Sequence, residues 1–215
     1  MARQARSELT RRKLLDAAVD VFADVGYVAA GRAAIIDRAG VTKGALYHHF
    51  ESMESLVAAI VDGGFTVILD TFSGMCQPTS PALEGLIHGT FAVTDVVAHD
   101  KQARVGLHLL FASSGADDAV AARCATLQGE LCAQVARAIA EGDLRAEVDT
   151  DQAGESIMAA LLGSWLLSPC RAEAAVGRLT RLWEALLPVL VVEESLGYYR
   201  QFLGREALRH GPAET

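Results

Sequence analysis

The residues of this chain best placed to do chemistry lie in one short run, Thr42-Lys43-Gly44-Ala45-Leu46-Tyr47-His48-His49. At helical spacing Thr42, Lys43, Gly44, Tyr47 and His48 share an outward face, while Ala45, Leu46 and Phe50 turn inward. Small residues at a helix N-terminus allow close approach to another chain. The free N–H groups there, with the Lys43 ammonium, suit phosphate oxygens or guanine acceptors in a major groove. The same spacing fits an ordinary helical hairpin with a solvated polar face, so spacing alone leaves both readings open. Other chemistries find little support. The six histidines (His48, His49, His88, His99, His108, His210) form no HExxH pattern, and neither GxSxG nor a glycine-rich phosphate loop is present. No catalytic residue, cofactor or metal is expected. Asp117-Asp118 and Glu193-Glu194 fall at expected helix starts, where acids complement the helix dipole. The four cysteines (Cys76, Cys124, Cys132, Cys170) include no CxxC pair and read as small apolar residues in a reducing cytoplasm.

Charge is unevenly distributed. Residues 1–50 hold eight Lys/Arg against five Asp/Glu, a balance of +3, which leaves −11 for the remainder of a chain whose net charge is −8. A small basic module joined to a larger acidic body is the expected organisation, and phosphate binding depends on the local patch rather than on the total. Hydrophobic residues make up 51% of the 215, enough to bury a sizeable core. The stretches around 161–167 and 186–192 are shorter than the roughly 18–20 apolar residues that span a bilayer, and no apolar signal core follows the basic N-terminus. Secretion and membrane insertion are not expected.

The elements that must position the run are helical throughout. Leu14, Ala18, Val21, Phe22 and Val25 mark a first helix over about 8–25, stopped by Gly26. A second spans about 32–39 and ends at Gly40; a third spans 43–49 behind a Thr42 cap. Ser52 caps a fourth that carries Leu56, Ile60, Gly63 and Val67. Ile35, Ala39, Val41 and Leu46 have the spacing of a helix-turn-helix, with Gly40 placed for a left-handed turn. Beyond the break at Gln77-Pro78-Thr79-Ser80-Pro81, helices are expected at about 82–98, 101–112, 117–141, 150–167, 173–192 and 194–209. Pro188 should kink or shorten the ninth. The fold class is all-α.

Gly26-Tyr27, the block Ala39-Gly40-Val41-Thr42-Lys43-Gly44-Ala45-Leu46-Tyr47-His48-His49-Phe50, and Glu54-Ser55-Leu56 resemble the DNA-binding domain of tetracycline-repressor (TetR) family regulators. Within that family the block is most similar to the γ-butyrolactone autoregulator receptors. Met1-Ala2-Arg3-Gln4, Arg104-Val105-Gly106-Leu107 and Leu186-Leu187-Pro188 resemble that subgroup more loosely. The resemblance implies a three-helix helix-turn-helix DNA-binding domain at 1–51 and a larger helical ligand-binding and dimerisation domain at 52–215. It gives Thr42 the recognition-helix cap, Lys43 and Gly44 the base edges or backbone of the major groove, and Tyr47 and His48 flanking phosphates. Arg3, Arg6 and Arg11 add electrostatic contacts, and Phe50 is core. Three positions depart from the pattern. Ala29-Ala30-Gly31-Arg32-Ala33-Ala34 lacks the usual Ser or Thr near the start of the second helix, so Gly31 caps it and Arg32 is left to supply a phosphate contact. Met53 stands where a Lys is common. Leu127 stands where butyrolactone receptors carry a tryptophan.

For the larger domain the expected ligand pocket comprises Phe91, Leu107, His108, Phe111, Cys124, Leu127, Gln128, Met158 and Trp165, apolar bulk with a few hydrogen-bonding groups. The expected dimer interface comprises Ile157, Leu161 and Ser164 on one face and Leu179, Leu182, Trp183, Leu186 and Leu190 on another. The functional expectation is a cytoplasmic transcriptional repressor. It binds palindromic operator DNA as a homodimer and is released by a small hydrophobic effector, a γ-butyrolactone or an antibiotic. The alternatives are a receptor-like protein without ligand or DNA response, serving as a constitutive repressor or dimerisation partner, and, more remotely, a helical enzyme.

Overall fold

The computed structural model describes residues 2–112, 118–167 and 175–211, of which Ala2, Arg3 and 118–120 are described in backbone only. Cys170 lies outside the described residues. Ten α-helices are present among them: α1 (Ala2–Ala29), α2 (Arg32–Ala39), α3 (Lys43–His49), α4 (Met53–Met75), α5 (Ala82–His99), α6 (Lys101–Ala112), α7 (Asp118–Glu141), α8 (Thr150–Leu166), α9 (Ala175–Leu190) and α10 (Glu193–His210). The one β feature described is an isolated antiparallel bridge between Leu144 and Val191.

The chain divides into two compact units, Met1–Val67 with Ala98–Gly115, and Ile68–Val97 with Ala116–Thr215. In the first, Leu14, Ala18, Val21 and Phe22 of α1 are buried with Ile35, Leu46, Phe50 and Ile60. Val25, expected on that stripe, is 54% exposed. Gly26 (φ 76°, ψ 166°) breaks the helical path beside it and turns the last residues of α1 onto a new course. The helix also begins earlier than expected, because Arg3–Ser7 carry no apolar stripe to reveal it. The first unit reaches beyond residue 51 because α6 packs on α1, where Lys101 Nζ meets Asp20 Oδ1 at 2.6 Å. The middle of α4 also meets α6 at a glycine pair. A β-carbon on Gly64 would stand 2.8 Å from the Gln102 carbonyl, and one on Gly106 would stand 3.0 Å from the Gly64 Cα.

The second unit buries Phe72, Leu83, Leu86, Phe91, Leu131, Ile157, Leu161, Leu179, Trp183 and Tyr199. Its polar ties follow the helix ends. The Asp149 carboxylate accepts from Gln152 N–H at 2.9 Å and starts α8. Arg145 closes α9 by donating to the carbonyls of Pro188 and Val191, each at 3.1 Å. That helix runs through Pro188 to Leu190, and the proline, which has no N–H, removes one rung of its hydrogen-bond ladder. Arg137 holds the loop at the Gln77–Pro81 break through the Ser80 carbonyl at 2.6 Å. Glu141 accepts from the Ala82 N–H at 2.7 Å, at the start of α5. Two threonines of α5 receive the indoles: Trp183 Nε1 donates to Thr90 Oγ1 at 2.9 Å, and Trp165 Nε1 to Thr94 Oγ1 at 3.3 Å. By length and composition α4 is apolar enough to cross a bilayer, a property not visible in the shorter apolar runs of the sequence. Leu56, Ile60, Phe65, Ile68 and Phe72 nevertheless sink into protein core.

Candidate nucleic-acid interface

The candidate interface is set by a turn. Gly40 takes the left-handed conformation (φ 63°, ψ 37°), and its N–H closes α2 on the Asp37 carbonyl at 3.1 Å. Two residues later Thr42 Oγ1 accepts the Ala45 N–H at 3.2 Å and starts α3. With both ends of the turn fixed, Leu46 and Phe50 are buried, and Thr42, Lys43, Gly44, Tyr47 and His48 are exposed together. Ala45, expected inside, is half-buried.

The cationic groups converge on one ring. Arg32 Cζ lies 5.7 Å and Lys43 Nζ 5.8 Å from the Tyr47 ring centre, and Arg32 also donates to the Tyr47 hydroxyl at 3.4 Å. Tyr47 thus braces two positive charges from different helices, a role beyond the phosphate contact expected of it. The only signal in the sequence is that Lys43 and Tyr47 stand one helical turn apart. Gly31 caps α2 in extended conformation with no side-chain bond, as the missing Ser or Thr requires. Ser52 and Ser55 bond reciprocally, each side chain accepting the other's N–H at 3.1–3.2 Å, and so start α4 behind a half-buried Met53. The Glu54 carboxyl is held below its ordinary range by its own backbone N–H and by Ser52, with a smaller contribution from Arg32. His49 is pushed below the ordinary histidine value by burial first and then by the neighbouring His48 and Arg11, with Glu8 opposing. Arg11 stacks its guanidinium 5.4 Å from the Phe50 ring centre and anchors the end of α3. Arg6 is exposed on the first turns of α1; the side chain of Arg3 lies outside the described residues.

The expected ligand residues separate by unit. In the second, Phe91, Leu127, Met158 and Trp165 are buried, while Cys124 and Gln128 are half-buried. In the first, Leu107 is core, Phe111 is 45% exposed, and His108 lines a cavity of about 230 Å³ with Phe22, Tyr27, Arg104 and Val105. The expected dimer residues require a correction. Ile157, Leu161, Ser164, Leu179 and Trp183 are all buried within their own chain, and Arg178 donates to the Ser164 carbonyl at 2.9 Å. A side chain consumed by its own core has no surface left to offer a partner. Leu182, Leu186 and Leu190 keep part of theirs.

Residues 14–60 match the bacterial regulatory proteins of the tetR family. The chain is 33% identical over 194 residues to the A-factor receptor protein of Streptomyces griseus, an alignment covering 87% of this chain and 66% of that one. It is 37% identical over 101 residues to the HTH-type transcriptional activator FasR of Mycolicibacterium smegmatis, covering 47% of this chain and 45% of the relative. The chain thus spans under two thirds of the length of these relatives. Among solved structures, a gamma-butyrolactone receptor (ArpA-like protein) aligns with a TM-score of 0.79 at 24% identity, covering 95% of this chain and 99% of that one. The TetR family protein CprB of Streptomyces coelicolor, solved in complex with its operator sequence, aligns with a TM-score of 0.73 at 24% identity, covering 95% and 99%. The relatives are regulators rather than enzymes. With the helix-turn-helix geometry in place and these likenesses beside it, residues 14–60 belong to the tetR family of bacterial regulatory proteins, and the chain is similar to regulators of that family over most of its length.

Proposed function

We propose that this protein is a ligand-responsive transcriptional repressor that binds palindromic operator DNA as a homodimer and is released by a small hydrophobic effector. The observation that carries the reading is the exposed face of α3, with Thr42, Lys43, Gly44, Tyr47 and His48 outward and Arg32 beside them. Residues 1–51 are the DNA-reading domain in this proposal, and 52–215 bind the effector and the second copy. Lys43 and Gly44 meet the major groove, Thr42, Tyr47, His48 and Arg32 meet phosphates, and Arg3, Arg6 and Arg11 add charge. The effector is of the class named for the relatives, a γ-butyrolactone, or an apolar antibiotic. It acts by binding the DNA-incompetent arrangement more tightly, with a coupling of about 1–3 kcal/mol. The dimer forms through Leu182, Leu186 and Leu190, extended by Val189, which is 66% exposed.

A second reading has its own observation. Leu127 is 1% exposed, and the Trp165 indole N–H is already bonded to Thr94 of α5, so these two expected pocket residues are committed to the core. A constitutive regulator would look like this. The test is a salt titration of binding to the protein's own promoter, wild type beside Lys43→Ala. Protection of a palindrome, a salt slope reduced by about one unit in the variant and release by an added γ-butyrolactone are expected. Protection that no lactone or antibiotic reverses selects the constitutive regulator, and binding equally weak on random DNA and indifferent to Lys43 defeats both readings.

A further inference from the structure

Away from the DNA-reading face, α10 and α5 bring three metal-ligating side chains together. Glu206 and His210 stand one turn apart on α10, and His88 comes from α5. Glu206 Oε2 lies 3.8 Å from His88 Nδ1 and 3.6 Å from His210 Nε2, and one ligand atom from each residue falls within 4.8 Å of the other two. The Glu206 side chain is 2% exposed, yet its Oε2 has no hydrogen-bond partner among the described residues; neither has the buried His210 Nε2. The two atoms face each other at 3.6 Å, beyond hydrogen-bond reach, and buried polar groups so loosely satisfied are costly, which suits them to an occupant between them.

We infer that His88, Glu206 and His210 form a binding site for a divalent transition-metal cation of the Zn²⁺ class. Two imidazoles and one carboxylate are a donor set of that class, with bonds of about 2.0–2.2 Å that set tetrahedral ligand atoms about 3.3 Å apart. The two distances to Glu206, 3.6 and 3.8 Å, need to contract by a few tenths, and the two imidazoles, within 4.8 Å of each other, close the remaining gap by side-chain rotation. The carboxylate is already oriented for the task. Arg209 binds Oε1 at 2.9 Å, which holds the group in place and leaves Oε2 as the free, single donor. The Phe91 ring packs 5.9 Å from that of His210 and fixes its plane. His88, 31% exposed, opens onto a polar cavity of about 340 Å³ lined also by Ser80, Glu84, Tyr198 and Arg205, through which the ion enters and from which water supplies the fourth ligand. The acids Glu84 and Glu206 are matched there by Arg205 and Arg209, so binding rests on coordination rather than on a negative field. Sequence spacing could not show the site, because Glu-x-x-x-His reverses the familiar helical order and the third donor comes from a distant helix.

The test uses the full chain without a histidine tag, stripped with EDTA, and titrated with Zn²⁺ and then Co²⁺ by calorimetry and visible absorption. One Zn²⁺ per chain and the intense visible bands of four-coordinate Co²⁺ are expected. His88→Ala and His210→Ala should each weaken binding by at least ~10–100-fold, while the exposed His99→Ala binds as wild type. Because His88→Ala leaves the Glu206–Arg209 pair in place, an unchanged helical circular dichroism spectrum separates loss of a ligand from loss of the fold. No uptake, or uptake equal in wild type and His88→Ala, overturns the site and leaves a charge cluster alone.

Discussion

Tyr47 shows how a single ring prepares a surface. Arg32 and Lys43 are flexible cations that lose rotamer freedom on meeting phosphate, and both are already drawn to that ring, so part of the loss precedes DNA binding. Tyr47→Leu should therefore weaken operator binding by more than its own phosphate contact, and it should lower the salt slope less than Lys43→Ala does. Filter binding at several salt concentrations separates the two; equal effects on the slope would remove the bracing role. At the same scale, burial raises the Cys76 thiol from its ordinary value to about 11, with Arg137 opposing and Glu130 adding to the shift. The reactive thiolate is thus scarce below that pH. Alkylation of Cys76 by iodoacetamide at pH 8 should be much slower than that of a free cysteine, should accelerate as pH approaches 11, and should become ordinary in denaturant; peptide mass mapping reads all three.

Helices were the most legible part of the sequence, because 3.6-residue periodicity and end signals act locally. The bounds of α2, α3 and α6 and the caps at Thr42 and Ser52 agree with what spacing alone predicts. Tertiary contact was not local and did not show. An apolar stripe announces that something covers it, and it does not say whether the cover is the same chain or a second copy. Hence Ile157, Leu161, Leu179 and Trp183, expected at a dimer face, belong to the core. Glycines give the sharpest test at this scale. Gly106→Ala should force α4 and α6 apart and cost about 1–3 kcal/mol. Gly129→Ala, on α7 with open space around it, should gain about 0.5–1 kcal/mol from helix propensity. Urea unfolding of both variants checks the contrast; the pair fails as an explanation if Gly106→Ala is as mild as Gly129→Ala.

For the molecule as a whole, the proposed repressor needs two copies, since two recognition helices on successive turns of a palindrome bind far more tightly than one. With the deeper residues of α8 and α9 committed inside, the exposed Val189 and the half-buried Leu182, Leu186 and Leu190 are the apolar surface that α9 keeps for the proposed partner. Val189→Glu should give a monomer by light scattering at micromolar concentration and cost operator affinity, while the metal site on α10 stays intact. A dimer unaffected by that change would place the interface on another face. In the same proposal, the acidic balance beyond residue 50 disfavours contact of that part of the chain with a phosphate backbone.

The two threonines that receive the indoles of α8 and α9 make the second unit optically distinct. Trp165 and Trp183 are the only tryptophans in the chain, and both are buried against α5. Their emission should therefore be blue-shifted and report the packing of those three helices, while the helix-turn-helix contributes no indole signal. Any compound that spreads α5 from α8 or α9 must expose one or both rings, so the protein carries its own fluorescent gauge of effector entry, readable before a single operator sequence is known.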